Sequence, residues 1–263
     1  MKHDPAPLAS AAEYTEAIEV LNPQGNFPAL LLCDHASATL PDTCRGLGLP
    51  GSVLERHIGV DIGIAPVVRA LSHLLDAPAI LTRQSRLLID CNRWIADPTS
   101  IPEHSDGVTV PGNIGLTPTL RADRQSRYFW PYHRRIHRQW TAMQTRHKAP
   151  FFLALHSFTR QLGTERRVID AGTFWHHDRR LSDGILGLLD RDAMLKLAEN
   201  SPYCGFRGTS FTLDYHCWDT GLPGCGLEIV NDTLTTSQDR EAWAFRLAGA
   251  LRRLAAGYDH RSR

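Results

Sequence analysis

Phe151-Phe152-Leu153-Ala154-Leu155-His156-Ser157-Phe158 is the stretch on which the fold reading turns. Five apolar residues stand in a row after Pro150, too few for a helix and without the alternation of a half-buried strand. Such a run reads as a strand covered on both faces. Upstream, Phe129, Tyr132, Ile136, Trp140 and Met143 recur at steps of 3, 4, 4 and 3, one apolar stripe of a helix over 121–147. Further upstream, Leu30–Cys33, Ala79–Thr82 and Leu87–Ile89 read as strands. Val53–Leu75 between them reads as a helix that Pro66 kinks or breaks. Downstream, Val168–Phe174 and Cys225–Val230 read as strands around a helix over Leu181–Leu197. Ser237 is placed to cap a last helix, with Trp243, Leu247, Leu251 and Leu254 on one face. Strands alternating with helices imply an α/β protein: a mixed, mostly parallel sheet flanked by helices on both faces. Residues 1–26 read as a peripheral polar arm, with a short helix over 10–20. Residues 95–119, rich in Pro, Gly, Asn and Asp, read as a long loop. No linker divides the chain, so a single domain over 1–263 is expected.

Composition narrows the function. Lysine and arginine total 29 against 28 acidic residues. Only Lys2, Lys148 and Lys196 are lysines, so the basic side is almost all arginine, the forked binder of carboxylates and phosphates. A net charge of +1 argues against a dedicated nucleic-acid binder. No apolar run reaches the roughly 18 residues of a membrane span. The N-terminus has no signal-peptide pattern, and six cysteines without a CxxC pair point to free thiols in a reducing compartment. A cytoplasmic protein with no membrane or nucleic-acid partner is expected, as a monomer or small homo-oligomer.

In a sheet of this kind functional groups collect where strands end. Asp34-His35 follows the 30–33 run, Asp90-Cys91-Asn92-Arg93-Trp94 follows 87–89, and His156-Ser157 follows 151–155. Glu228 stands alone among Gly226, Leu227, Ile229 and Val230. Two imidazoles and a carboxylate can hold a divalent zinc ion and leave a position open for water. A glutamate in an apolar strand gains a raised pKa, which suits a general base.

Asp90-Cys91-Asn92-Arg93, Leu155-His156-Ser157-Phe158 and Gly226-Leu227-Glu228-Ile229 resemble, in that order, segments of the zinc carboxypeptidases. The fuller set resembles the N-formylglutamate amidohydrolase family. It adds Cys33-Asp34-His35-Ala36-Ser37, His57-Ile58-Gly59-Val60-Asp61-Ile62-Gly63, Ser85-Arg86 before Leu87, Asp106-Gly107 before Pro111-Gly112-Asn113, and Val230-Asn231-Asp232. The resemblance implies a zinc-carboxypeptidase-like (phosphorylase/hydrolase-like) fold and one zinc ion held by His35 and His156. It further implies Glu228 as the catalytic base, and Arg93 with Asn92 as the grip on a substrate carboxylate. The substrate it implies is a small anionic N-acyl amino acid such as N-formyl-L-glutamate. One ligand departs from the carboxypeptidase pattern. The carboxylate three residues after the first histidine is missing, because Ala38 stands there. Asp61 is the candidate, with Asp34 and His57 as alternatives.

Other patterns lead elsewhere. His133 and His137 are four apart, but Arg134 stands where a zinc-protease helix needs glutamate; a solvated face is expected for them. No Gly-x-Ser-x-Gly elbow or phosphate loop is present. A peptidase acting on short peptides and a non-catalytic arginine-rich binding protein are the competing readings of the same fold.

Overall fold

The computed structural model describes residues 17–191, 194–208 and 210–261. Its centre is a seven-stranded sheet. The strands are β1 (Ile18–Leu21), β2 (Ala29–Cys33), β3 (Ala79–Thr82), β4 (Phe151–Phe158), β5 (Ala171–Phe174), β6 (Leu197–Glu199) and β7 (Gly224–Val230), in the order β1-β3-β2-β4-β7-β5-β6. β3, β2, β4 and β7 run parallel; β1 joins β3 and β5 joins β7 antiparallel; β6 runs parallel to β5. This is the mixed, mostly parallel sheet expected.

The side-chain alternation of the strands sorts the core into two layers. Leu31, Cys33, Leu81, Leu153, Leu155, Leu227 and Ile229 face helices α1 (Ile64–Leu75), α4 (Arg180–Leu189) and α6 (Ser237–Arg261). Leu30, Leu32, Ile80, Phe152 and Ala154 face the helix α3 (Trp130–Arg146) and the short α5 (Phe211–Cys217). Continuous apolar runs are what a sheet covered on both faces requires. Among the described residues no helix is long and apolar enough to cross a membrane.

Several local expectations are corrected. Of the expected 10–20 helix, residues 10–16 lie outside the described set, and Ile18–Leu21 is the sheet's edge strand. The 53–75 helix is interrupted: a single turn at Gly51–Leu54 is followed by a loop, and α1 begins only at Ile64. Pro66 sits in the first turn of α1, where a missing N–H costs nothing. Leu87–Ile89 is buried but not a strand; Leu88 N–H donates to Ser85 C=O in a tight turn. The helix expected over 121–147 is α2 (Pro118–Arg124) run through a π-turn (Gln125–Phe129) into α3. The expected 181–197 helix ends at Leu189, and β6 and α5 were not expected at all. The cap of α6 is Thr236 rather than Ser237: Thr236 Oγ1 accepts from Asp239 N–H and Asp239 Oδ2 accepts from Thr236 N–H.

The 95–119 segment is held by Asn113 and Arg124. Asn113 Nδ2 donates to the carbonyls of Leu87 and Pro102. Buried Arg124 donates to Leu88 C=O and Asn113 Oδ1. His133 is also buried, not solvated. It flanks the apolar stripe, and its ring lies 2.8 Å from Cys91 C=O and 3.1 Å from His216 Nε2.

Candidate active site

β4 and β7 pair in register with His156 opposite Glu228. Both belong to the side-chain series of Phe152 and Ala154, so the two stand together on the α3/α5 face. His35 follows β2, and Asp61 lies in the loop before α1. Asp61 N–H donates to His35 C=O at 3.0 Å, which docks the two segments together. Gly63, at φ +80°, caps the turn where a Cβ would strike Leu234. The interruption of the expected helix is thus what brings Asp61 to the end of the sheet.

The two imidazoles meet at one oxygen. His35 Nδ1 is 3.3 Å and His156 Nδ1 3.0 Å from Asp61 Oδ2. A donor atom from each of the three buried residues lies within 4.8 Å of the others, a group that could hold a metal ion. Behind each ring stands a second carboxylate: His35 Nε2 is 2.8 Å from Asp90 Oδ1, and His156 Nε2 is 3.2 Å from Asp34 Oδ2. Metal-binding histidines have this arrangement, one nitrogen to the ion and the other to a carboxylate. The donor set, two imidazoles and one carboxylate, suits zinc. The carboxylates around His156 push its pKa well above the ordinary value despite burial.

Of the two alternatives for the third ligand, Asp34 lies behind His156, and His57 Nε2 pairs instead with Asp106 Oδ2 at 3.0 Å.

Glu228 is buried with its Oε2 unpartnered. Burial, reinforced by the Asp61 charge, raises its pKa to about 7. Asp61 is held well below the usual carboxylate range: the His35 and His156 partners outweigh its own desolvation. The two carboxylates therefore differ in character: Asp61 is a fixed anion and Glu228 exchanges a proton near neutrality.

A cavity of about 70 Å³ opens onto these groups, and its walls include Arg86, Asn92, Arg93, Phe174, Tyr203 and Ser210. Gly226 leaves the room that the Phe174 ring fills; a Cβ there would overlap it. Arg93 lies with Nε 4.0 Å from Asp90 Oδ2. Asn92 turns its Oδ1 to the other wall, accepting from Ser210 Oγ and Thr212 N–H.

Arg86 is a site residue without an assigned role in the sequence reading. Its Nη2 donates to Asp90 Oδ2 at 2.6 Å and its Nη1 to Asp61 Oδ1 at 3.4 Å. Its position four residues before Asp90 was a signal only if 86–90 curls, and the strand reading of 87–89 hid it. Tyr203 and Ser210 follow no apolar strand that would have pointed to them, and Phe174, the last residue of the expected 168–174 strand, carries no polar group to mark it. A larger groove of about 730 Å³, edged by Trp94, His137, Tyr215 and Trp218, holds none of the three clustered residues.

Comparison with known proteins identifies a family and a fold. The family model for N-formylglutamate amidohydrolase matches residues 27–235. The crystal structure of gene product Atu2144 from Agrobacterium tumefaciens is 31% identical, with 95% of this chain and 98% of that chain covered and a TM-score of 0.88. N-formylglutamate amidohydrolase from Ralstonia eutropha JMP134 shares the fold, at 17% identity and a TM-score of 0.68 over 94% of this chain and all of that one. No curated protein sequence matches the chain.

Proposed function

The chain belongs to the N-formylglutamate amidohydrolase family, and from that membership we propose that it hydrolyses the amide bond of a small N-acylated amino acid with the help of one zinc ion. The observation that carries this reading is the placement of Glu228, a carboxyl poised near neutrality, beside a buried His-Asp-His cluster.

His35, Asp61 and His156 would hold the ion. When bound, zinc supplies Lewis acidity, which acidifies water and polarises a carbonyl. Glu228 takes a proton from the attacking water and returns it to the leaving nitrogen; a pKa near the working pH suits both steps. Arg93 grips the substrate carboxylate through its fork. Arg86, which donates to both Asp90 and Asp61, fixes those two carboxylates at the edge of the cavity. Phe174 and Tyr203 narrow the cavity.

The test is a hydrolysis screen of N-formyl, N-acetyl and dipeptide substrates on zinc-supplemented protein, with metal content measured in parallel. Release of the amino acid from an N-formyl compound at one zinc per chain is expected. Zinc-free protein after supplementation, or exclusive cleavage of dipeptides, would overturn the reading.

A further inference from the structure

Thr212 lies in the first turn of α5, far in sequence from the clustered His35, Asp61 and His156, and is fully buried. Its hydroxyl donates to Asp34 Oδ1 at 2.8 Å, and the other oxygen of that carboxylate is 3.2 Å from His156 Nε2. Its backbone N–H donates to Asn92 Oδ1 at 3.1 Å. Asn92 N–H in turn donates to Asp90 Oδ1 at 2.9 Å, and that same oxygen lies 2.8 Å from His35 Nε2. Hydrogen bonds thus run from His35 through Asp90, Asn92 and Thr212 to Asp34, and a 3.2 Å ion-pair contact completes the path to His156. Ser210 Oγ and Phe211 N–H, which donate to Asn92 Oδ1 and Asn92 C=O, pin α5 to the same residue.

Burial makes each link consequential. Asp34 is desolvated, so an ionised carboxylate there depends on the donors around it. A carboxylate fixed against Nε2 leaves Nδ1 of His156 facing Asp61. Were Asp34 free to turn, the ring could rotate or exchange tautomers, and the cluster would lose a donor.

We propose that Thr212 is a positioning residue: through Asp34 it holds His156 with Nδ1 toward the cluster, and through Asn92 it ties that ring to the segment supporting His35. The proposal rests on the metal-binding role given above to His35, Asp61 and His156. Thr212 touches neither substrate nor metal in this account; it acts through Asp34.

The experiment is zinc titration of metal-free protein by calorimetry, with Thr212→Val, Thr212→Ser, Asp34→Asn and the double variant Thr212→Val/Asp34→Asn. Thr212→Val is expected to weaken zinc binding about 10–100-fold, the usual scale for removing a partner behind a ligand. Thr212→Ser, which keeps the hydroxyl, should stay within about threefold of wild type by the same reasoning. Thr212→Val should cost little more in the Asp34→Asn background, because the two act in series. Wild-type affinity in folded Thr212→Val, or additive losses in the double variant, would overturn the proposal. Should Thr212→Val fail to fold, cadmium-loaded wild type decides: metal coupling at Nδ1 of His156 is expected, and coupling at Nε2 overturns it. Failure of the wild-type protein to bind zinc would instead sink the functional reading on which this rests.

Discussion

Glu228 and His156 stand opposite each other on the parallel pair β7 and β4, one carboxyl with a pKa near 7 beside one imidazole of the clustered triad. Sheet register, a property of backbone pairing, thereby fixes the spacing between the proposed base and the proposed metal ligand. A change at either residue should therefore affect its own task without moving the other.

Glu228→Gln tests that separation. Glutamine keeps the shape and removes the proton exchange. Zinc content should stay at one per chain while kcat falls by at least ~10²-fold, the usual contribution of a general base. Turnover close to wild type would remove Glu228 from the mechanism.

Asp90→Asn tests the support behind His35. Asp90 serves His35, Arg86 and Asn92 N–H together. Loss of its charge should weaken zinc binding ~10–100-fold, on the scale of other ligand-orienting groups, and leave Arg86 without its closest partner. Equilibrium dialysis against zinc provides the measurement. Unchanged affinity would show that His35 needs no carboxylate behind it.

Arg93→Lys should raise KM for an N-acyl amino acid more than it lowers kcat, because a point charge does not reproduce a forked pair. The comparison substrate is the matching N-acyl amide, which lacks the carboxylate. If wild-type and variant enzymes show the same KM for the acid, Arg93 does not bind the carboxylate.

The sheet was legible in the apolar runs 30–33, 79–82, 151–155 and 225–230, because strands buried on both faces are almost wholly apolar. The same logic pointed to His35, His156 and Glu228 as residues at strand ends or alone in a strand. It misled at Leu87–Ile89. That run is buried because a turn folds it under the site, where Arg86 and Asp90 come together. Asp61 drew attention as a carboxylate in an apolar stretch, yet its position depends on the break at Gly59–Gly63, which helical periodicity passed over. His133 was read as solvated once Arg134 ruled out a zinc-protease helix. Its burial follows from a place on the helix beside Phe129 and Ile136, with Cys91 C=O and His216 satisfying both ring nitrogens. Tyr203 and Thr212 were hidden because long-range pairing brings them in, and Arg86 because a turn rather than a strand carries it to Asp90.

The buried His133–His216 pair carries a pH prediction. Desolvation lowers the His133 pKa to about 4 and drives His216 well below its ordinary value. In the unfolded chain both titrate near about 6.5. The unfolded state therefore takes up protons as pH falls below about 6.5 that the folded rings refuse, His133 until about pH 4. The stability associated with these rings is fully present above that upper limit and is lost as pH falls through the window. Urea unfolding between pH 7 and pH 5 should show a shallower decline for His216→Gln, by up to one proton or about 1.4 kcal/mol per pH unit. Parallel curves for variant and wild type would contradict the assignment.

The central claim, hydrolysis of a small N-acyl amino acid by a metal-loaded His35–Asp61–His156 site with Glu228 beside it, is tested most directly by stripping and reloading the protein. Chelator-treated protein is titrated with zinc while hydrolysis of an N-formyl amino acid is followed. Activity should rise linearly and level off at one equivalent per chain, and His156→Ala should show neither the high-affinity equivalent nor the activity. Full activity in the stripped protein, or a wild-type protein that binds one zinc and hydrolyses no N-acyl amino acid, would contradict the account.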